Sequence, residues 1–164
     1  MDWSASYVIS SSRQELNGAW VPRPNDQPRA LRGDWSIHPK NNHWRLTLSG
    51  VRHTGWPYTP DRLEIDTITP ASASPFVWVT RSAGPLFSQR AQPYQRVDAR
   101  WTRFFDTHSG RVALFVDVYN LLNNSNQRET STNVFINRTL GVSYSGQSKV
   151  SLPRIPSFGI NWEF

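Results

Sequence analysis

Residues 153 to 164 read Pro153-Arg154-Ile155-Pro156-Ser157-Phe158-Gly159-Ile160-Asn161-Trp162-Glu163-Phe164, and this stretch decides the fold class. From Ser157 onward it alternates strictly. Successive side chains of a strand point to opposite faces. Phe158, Ile160, Trp162 and Phe164 therefore share one face, while Ser157, Gly159, Asn161 and Glu163 share the other. A strand this aromatic on one side and this polar on the other separates a greasy environment from a wet one.

Working back toward the N-terminus, the same period of two recurs in five segments. Trp3 to Ser10 sets Trp3, Ala5, Tyr7 and Ile9 against Ser4, Ser6 and Ser10, with Val8 breaking the pattern. Ala30 to His38 sets Leu31, Gly33, Trp35 and Ile37 against Arg32, Asp34 and Ser36. Trp44 to Val51 sets Trp44, Leu46, Leu48 and Gly50 against Arg45, Thr47 and Ser49. Tyr94 to Phe105 sets Val97, Ala99 and Trp101 against Arg96, Asp98, Arg100 and Thr102. Arg111 to Tyr119 is the least clean, because Phe115 and Tyr119 lie on its polar side with Ala113 and Asp117. Two connections, Pro39 to Asn42 and Asp106 to Gly110, are tight and rich in turn formers. The others, about residues 11 to 28, 54 to 93 and 124 to 154, are long and hold most of the Pro, Ser and Arg. The pattern predicts an all-β chain, an antiparallel meander of about six strands. Counting back from a descending last strand puts both tight turns on one side and all long connections on the other, as in a membrane barrel.

Composition agrees with half-wet strands. Of 164 residues, 37% are hydrophobic and only 18% charged, while 13% are aromatic. A soluble domain covers itself with charge; here the cover is thin and uncharged polar residues are plentiful. Antiparallel sandwiches also alternate, and a soluble Trp-rich carbohydrate-binding module is the competing reading. Two features favour a membrane. Trp3, Trp44, Trp101, Phe105, Trp162 and Phe164 cluster near strand ends, where an interfacial girdle lies. Charged residues such as Arg32, Asp34, Asp98, Arg100 and Asp117 also occupy mid-strand positions, which suits a wet lumen. The net charge of +6 is dispersed, carried mostly by Arg, and forms no basic run; anionic lipid or lipopolysaccharide phosphates account for it better than nucleic acid does.

Other chemistry finds little footing. There are no cysteines, so disulfides and Cys-ligated metals are excluded. His38, His43, His53 and His108 lack metal spacing and read as turn and loop residues. Neither a phosphate loop nor a nucleophile elbow or triad order occurs. The expectation is no enzyme, no cofactor and no metal site. No run approaches the ~20 apolar residues of a membrane helix. Met1-Asp2-Trp3-Ser4-Ala5-Ser6 lacks the basic start and apolar run of a signal peptide, so an outer-membrane destination requires an upstream portion.

Four phrases carry a family resemblance. Val112-Ala113-Leu114-Phe115-Val116-Asp117-Val118-Tyr119-Asn120-Leu121-Leu122-Asn123 resembles the penultimate barrel strand of TonB-dependent outer-membrane receptors. His53-Thr54-Gly55-Trp56-Pro57-Tyr58-Thr59-Pro60 resembles their "TGxPYTP" phrase, and Tyr94-Gln95-Arg96-Val97-Asp98 the "YxRLDLR" opening of the strand that follows. Residues 153–164 resemble the terminal strand, whose closing aromatic is read by the barrel-assembly machinery. The order of the four matches the family's.

The resemblance implies that residues 1–164 are the C-terminal segment of a transmembrane β-barrel in the outer membrane of a Gram-negative-type bacterium, with plug and earlier strands absent. Such receptors have about 22 strands, and an open six-stranded sheet leaves two edges that hydrocarbon does not tolerate. It further implies uptake of a scarce ligand of the siderophore, cobalamin or oligosaccharide class, driven by the TonB complex acting only through the missing plug. The fragment itself is then inactive. Trp56, Tyr58, Trp78, Arg81 and Arg90, with Phe76, are the outer-loop candidates for touching ligand, and Phe158, Ile160, Trp162 and Phe164 the barrel-assembly signal. Charges on the polar faces pair with one another or with the plug. Two alternatives stand beside this: a small non-transporting barrel of structural or adhesive role, with Phe76–Val79 and Asn133–Ile136 as extra strands, and the soluble module.

Overall fold

The computed structural model describes residues 1–68, 76–137 and 141–164. Every regular element among them is a strand. In chain order these are β1 (Asp2–Ile9), β2 (Arg13–Leu16), β3 (Ala19–Pro22), β4 (Arg29–Ile37), β5 (Trp44–His53), β6 (Pro57–Tyr58) and β7 (Asp61–Ile68). There follow β8 (Phe76–Ala83), β9 (Gln89–Arg90), β10 (Tyr94–Thr107), β11 (Gly110–Tyr119), β12 (Gln127–Asn137), β13 (Gly141–Val150) and β14 (Ile155–Glu163).

Six of them form one antiparallel sheet in the order β1-β4-β5-β10-β11-β14. This is the predicted meander, with each expected segment in its place and the ends shifted by a few residues. The register carries the alternation across the whole sheet. Trp3 faces Trp35, Trp35 faces Leu48, Leu48 faces Ala99, Ala99 faces Val118 and Val118 faces Pro156. A slip of one residue in any pair would have mixed the faces. Instead one face is apolar from edge to edge, and the other carries Ser4, Asp34, Ser49 and Asp98 in one row.

The tight turns form as their residues dictate. Asn42 closes the first from a left-handed conformation (φ 51°), its N–H donating to Pro39 O at 3.0 Å. Gly110 closes the second at φ +127°, and a Cβ there would lie 2.0 Å from Glu163 O, so both backbone angle and the end of β14 require glycine.

The long connections differ from simple loops. Each continues the hairpin ladder beyond the sheet: β2 with β3, β6 with β9 and then β7 with β8, and β12 with β13. The β2–β3 arm turns on Asn17 (φ 52°) and Gly18 (φ 78°), a two-residue Asn-Gly turn whose twist matches its strands. Phe76–Val79 and Asn133–Ile136 are indeed strand, within β8 and β12, but they pair with β7 and β13 and do not join the sheet. All three arms leave from the end opposite the tight turns.

Among the described residues, no second layer covers this sheet. Tyr94 is the sole buried hydrophobic residue among those described. The accessible surface is 12113 Å², whereas a folded globular chain of this mass exposes about 8300 Å². Phe158, Ile160 and Trp162 of β14 and Phe164 just beyond it are 89%, 72%, 57% and 99% exposed.

Candidate functional site

The polar face is organised by its charges. Arg100 on β10 pairs with Asp117 directly across on β11 (Nε to Oδ1, 3.4 Å), and Arg96 pairs with Asp98 two residues along its own strand at 2.9 Å. Asp34 accepts hydrogen bonds from Ser49 Oγ at 2.7 Å and Ser4 Oγ at 3.4 Å. The aromatics that blurred the pattern of β11 are accounted for by neighbouring guanidiniums. Arg100 stacks over Phe115 at 4.0 Å, Arg96 over Tyr119 at 4.5 Å, and Arg111 over Phe104 at 4.4 Å. A ring under a cation is stable on a wet surface. Gly159 of β14 completes one such stack: a Cβ there would lie 2.4 Å from Phe115 Cζ, so the glycine makes room for the ring.

Where the sheet gives way to the outer arms, this face becomes concave. A cavity of about 350 Å³ is lined by Arg32, Arg96, His53, Trp56, Tyr94 and Tyr119, among others. Its apolar wall is a three-ring cluster. His53 and Tyr94, paired in register, stack 4.7 Å apart and 3° from parallel, and Trp56 sets its edge on both. The Nδ1 of His53 donates to Thr54 O at 2.8 Å, which fixes the ring's orientation. Arg96 Nη1 donates to the hydroxyls of Tyr119 at 2.9 Å and Tyr94 at 3.2 Å. Arg32 lines the same cavity and forms no ion pair with any described residue. The cavity thus offers one uncompensated guanidinium beside aromatic faces and phenol oxygens. It is equipped to bind an anionic or polyhydroxylated group.

Two clasps hold the arms that border the cavity. Asp26, 4% exposed, receives Arg90 Nη2 on Oδ2 and the Ser12 N–H on Oδ1 at 2.7 Å. Arg90 Nη1 also donates to the carbonyls of Asp26 and Gly55, at 3.0 and 3.2 Å. The first arm is thereby tied to the second. Burial pushes the Asp26 carboxyl up, but the Ser12 N–H and the Arg90 guanidinium outweigh it and hold it below its ordinary value. The second clasp is Asn120, fully buried and left-handed (φ 52°). Its Nδ2 donates to Asn124 O and Leu152 O, its Oδ1 accepts from the Asn124 N–H, and its own N–H donates to Asp98.

Among the residues expected to touch ligand, Trp56 lines the cavity. Tyr58 stands on β6, its hydroxyl donating to Gln89 Oε1 at 2.7 Å. Arg90 is committed to the Asp26 clasp. The side chains of Phe76, Trp78 and Arg81 lie outside the described residues. The structure therefore gathers Trp56 with His53, Tyr94, Arg32, Arg96 and Tyr119; Arg32 and Arg96 stand among the polar-face charges read from the sequence, and His53, Tyr94, Arg96 and Tyr119 within its family phrases. Asp26 and Asn120 carried no sequence signal of their roles beyond the tolerance of Asn for left-handed backbone.

Compared with protein-family models, curated proteins and solved structures, the chain matches none of them.

Proposed function

We propose that this chain is a wall of an outer-membrane β-barrel whose wet face lines a solute passage, the C-terminal part of a TonB-dependent receptor taking up a scarce ligand. One observation carries the reading. A single-layer sheet bears an uncovered apolar face from edge to edge, and its opposite face carries ion pairs and stacked guanidiniums. A soluble domain of this size buries its apolar face against a second layer; a barrel wall turns it to lipid and its polar face to a wet lumen.

The charges bracketing the apolar face support the same reading. Arg52 stands on it at the outer end and Arg103 near the turns, in register with Gln95 and Trp44 respectively. Eight residues separate the two rows, about 26 Å along a strand at ~3.3 Å per residue. At the ~40° tilt of barrel strands this is about 20 Å, close to the ~25 Å apolar band of such walls. The free edges of β1 and β14 would pair with further strands on closure. The cavity around Arg32 then opens on the passage, suited to an anionic or polyhydroxylated solute.

Reading the gene upstream of the Met1 codon tests the receptor assignment. An in-frame continuation encoding a plug domain and further alternating strands is the expected result. A stop codon immediately upstream would contradict transport and favour a small structural barrel.

A further inference from the structure

Two adjoining concavities lie on the apolar side of the sheet at its outer end. The lower, about 380 Å³, is a trough over the register row Ala5, Gly33, Gly50 and Val97, overhung by Leu31 and Leu122. The upper, about 320 Å³, is a polar cup of Arg52, Gln92, Gln95, Asn124 and Asn126. Arg52 and Gln95 line both. An apolar trough continuous with a polar, cationic cup has the shape of an amphiphile.

The glycines in the trough are not demanded by the fold. Neither has a positive φ, and a Cβ would meet only Ser4 O at 3.5 Å from Gly33 and Gly33 O at 3.8 Å from Gly50. Both are ordinary contacts, and strand interiors ordinarily favour larger side chains. Their smallness leaves space on the outward side. Arg52 is exposed and forms no ion pair or hydrogen bond with described side chains, and Arg29 stands two residues beyond Leu31 on the same face, equally exposed and unpaired. A guanidinium presents donors in a fork that fits phosphate oxygens.

We infer that this is a site for one anionic phospholipid, its acyl chain lying in the Ala5–Gly33–Gly50–Val97 trough and its phosphate held by Arg52, with Arg29 beside it and the side-chain amides of Gln92 and Gln95 on the headgroup, those of Asn124 and Asn126 being bonded to the Gln95 backbone. The inference rests on the membrane reading above and adds to it a headgroup preference and a place.

Trp3 and Trp35 border the trough from the next row of the register, so bromine on a bound acyl chain quenches tryptophan fluorescence. The full chain is reconstituted into phosphatidylcholine vesicles containing a minor fraction of brominated phosphatidylglycerol or of brominated phosphatidylcholine. At equal fraction the brominated phosphatidylglycerol quenches about twofold more. Arg52→Gln abolishes that difference. Gly50→Leu, whose Cβ meets nothing nearer than Gly33 O at 3.8 Å, fills the trough and reduces it while the strand signal in circular dichroism is retained. Arg103→Gln, an equal change of charge at the other margin, leaves it intact, and so does added inorganic phosphate. Equal quenching by the two lipids, or a difference that survives Arg52→Gln or falls equally with Arg103→Gln, overturns the site and leaves the membrane reading standing. Absence of quenching by either lipid overturns both.

Discussion

Leu48 sits midway between the two arginine rows of the apolar face, four residues from Trp44 and four from Arg52, with Trp35 and Ala99 as register neighbours. In a barrel wall that position is the bilayer midplane. Arginine there costs about 2–4 kcal/mol and near an interface only ~0–1 kcal/mol. Leu48→Arg should therefore lower the folding equilibrium roughly 30- to 700-fold at ~1.4 kcal/mol per decade. Tyr7→Arg, on the same face but in the outer row beside Leu31, should cost under about 1 kcal/mol. Ser49→Arg, next to Leu48 on the polar face and between Asp34 and Asp98 in the register, exchanges a serine hydrogen bond for two nearby carboxylates and should change stability by less than about 1 kcal/mol. The assay is equilibrium unfolding in urea from lipid vesicles, followed by tryptophan fluorescence. A soluble core would penalise burial without regard to depth. Equal costs for Leu48→Arg and Tyr7→Arg would refute the placement of this face in hydrocarbon, and a larger cost for Ser49→Arg than for Leu48→Arg would refute the assignment of faces.

Three further outcomes follow from the site. Because the Asp26 carboxyl is held below its ordinary value of 3.8, its clasp contributes fully above that pH and is lost as pH falls through the depressed value; hydrogen exchange at the Ser12 amide should stay slow at pH 5–7 and rise at every pH in Asp26→Asn. Asn120→Ala removes three side-chain hydrogen bonds at a fully buried, left-handed position and should cost about 2–4 kcal/mol, with Asn120→Gly about 1 kcal/mol milder because glycine accepts that backbone; equal losses in urea unfolding would discount the backbone contribution. Gly159→Ala should displace the Phe115 ring from Arg100 and cost about 1 kcal/mol, and the same change made on a Phe115→Ala background should cost almost nothing.

The sheet was readable in the sequence because each of its strands has one apolar and one polar face, so polarity alternates with the pleat. β14 is the clearest case, and the observed register keeps Phe158, Val116 and Trp101 on one face, which a slip of one residue would break. The β2–β3 arm was not readable by the same test. Arg13-Gln14-Glu15-Leu16 stands in water on both sides and has no apolar face to betray it, although Asn17-Gly18 marks its turn. Arg90 and Asp26 are 64 residues apart, and their clasp depends on two arms meeting beyond the sheet; no local pattern encodes that. Arg90 is an instance of a loop cation that looks available in sequence and is occupied in the fold. Phe115 and Tyr119 disturbed the alternation of β11 because cation–π stacking lets aromatic rings stand on a wet face.

The most direct test of the account uses the absence of cysteine from this sequence. Single cysteines placed one at a time from Ser157 to Trp162 carry a nitroxide, and the labelled chains are reconstituted into lipid vesicles. Collision rates are then measured with oxygen, which concentrates in hydrocarbon, and with a water-soluble nickel chelate. Strict alternation is expected: oxygen-dominated collisions at 158, 160 and 162, nickel-dominated collisions at 157, 159 and 161. Uniform nickel access along the strand, or alternation of the opposite phase, would contradict the claim that this apolar face is turned to lipid.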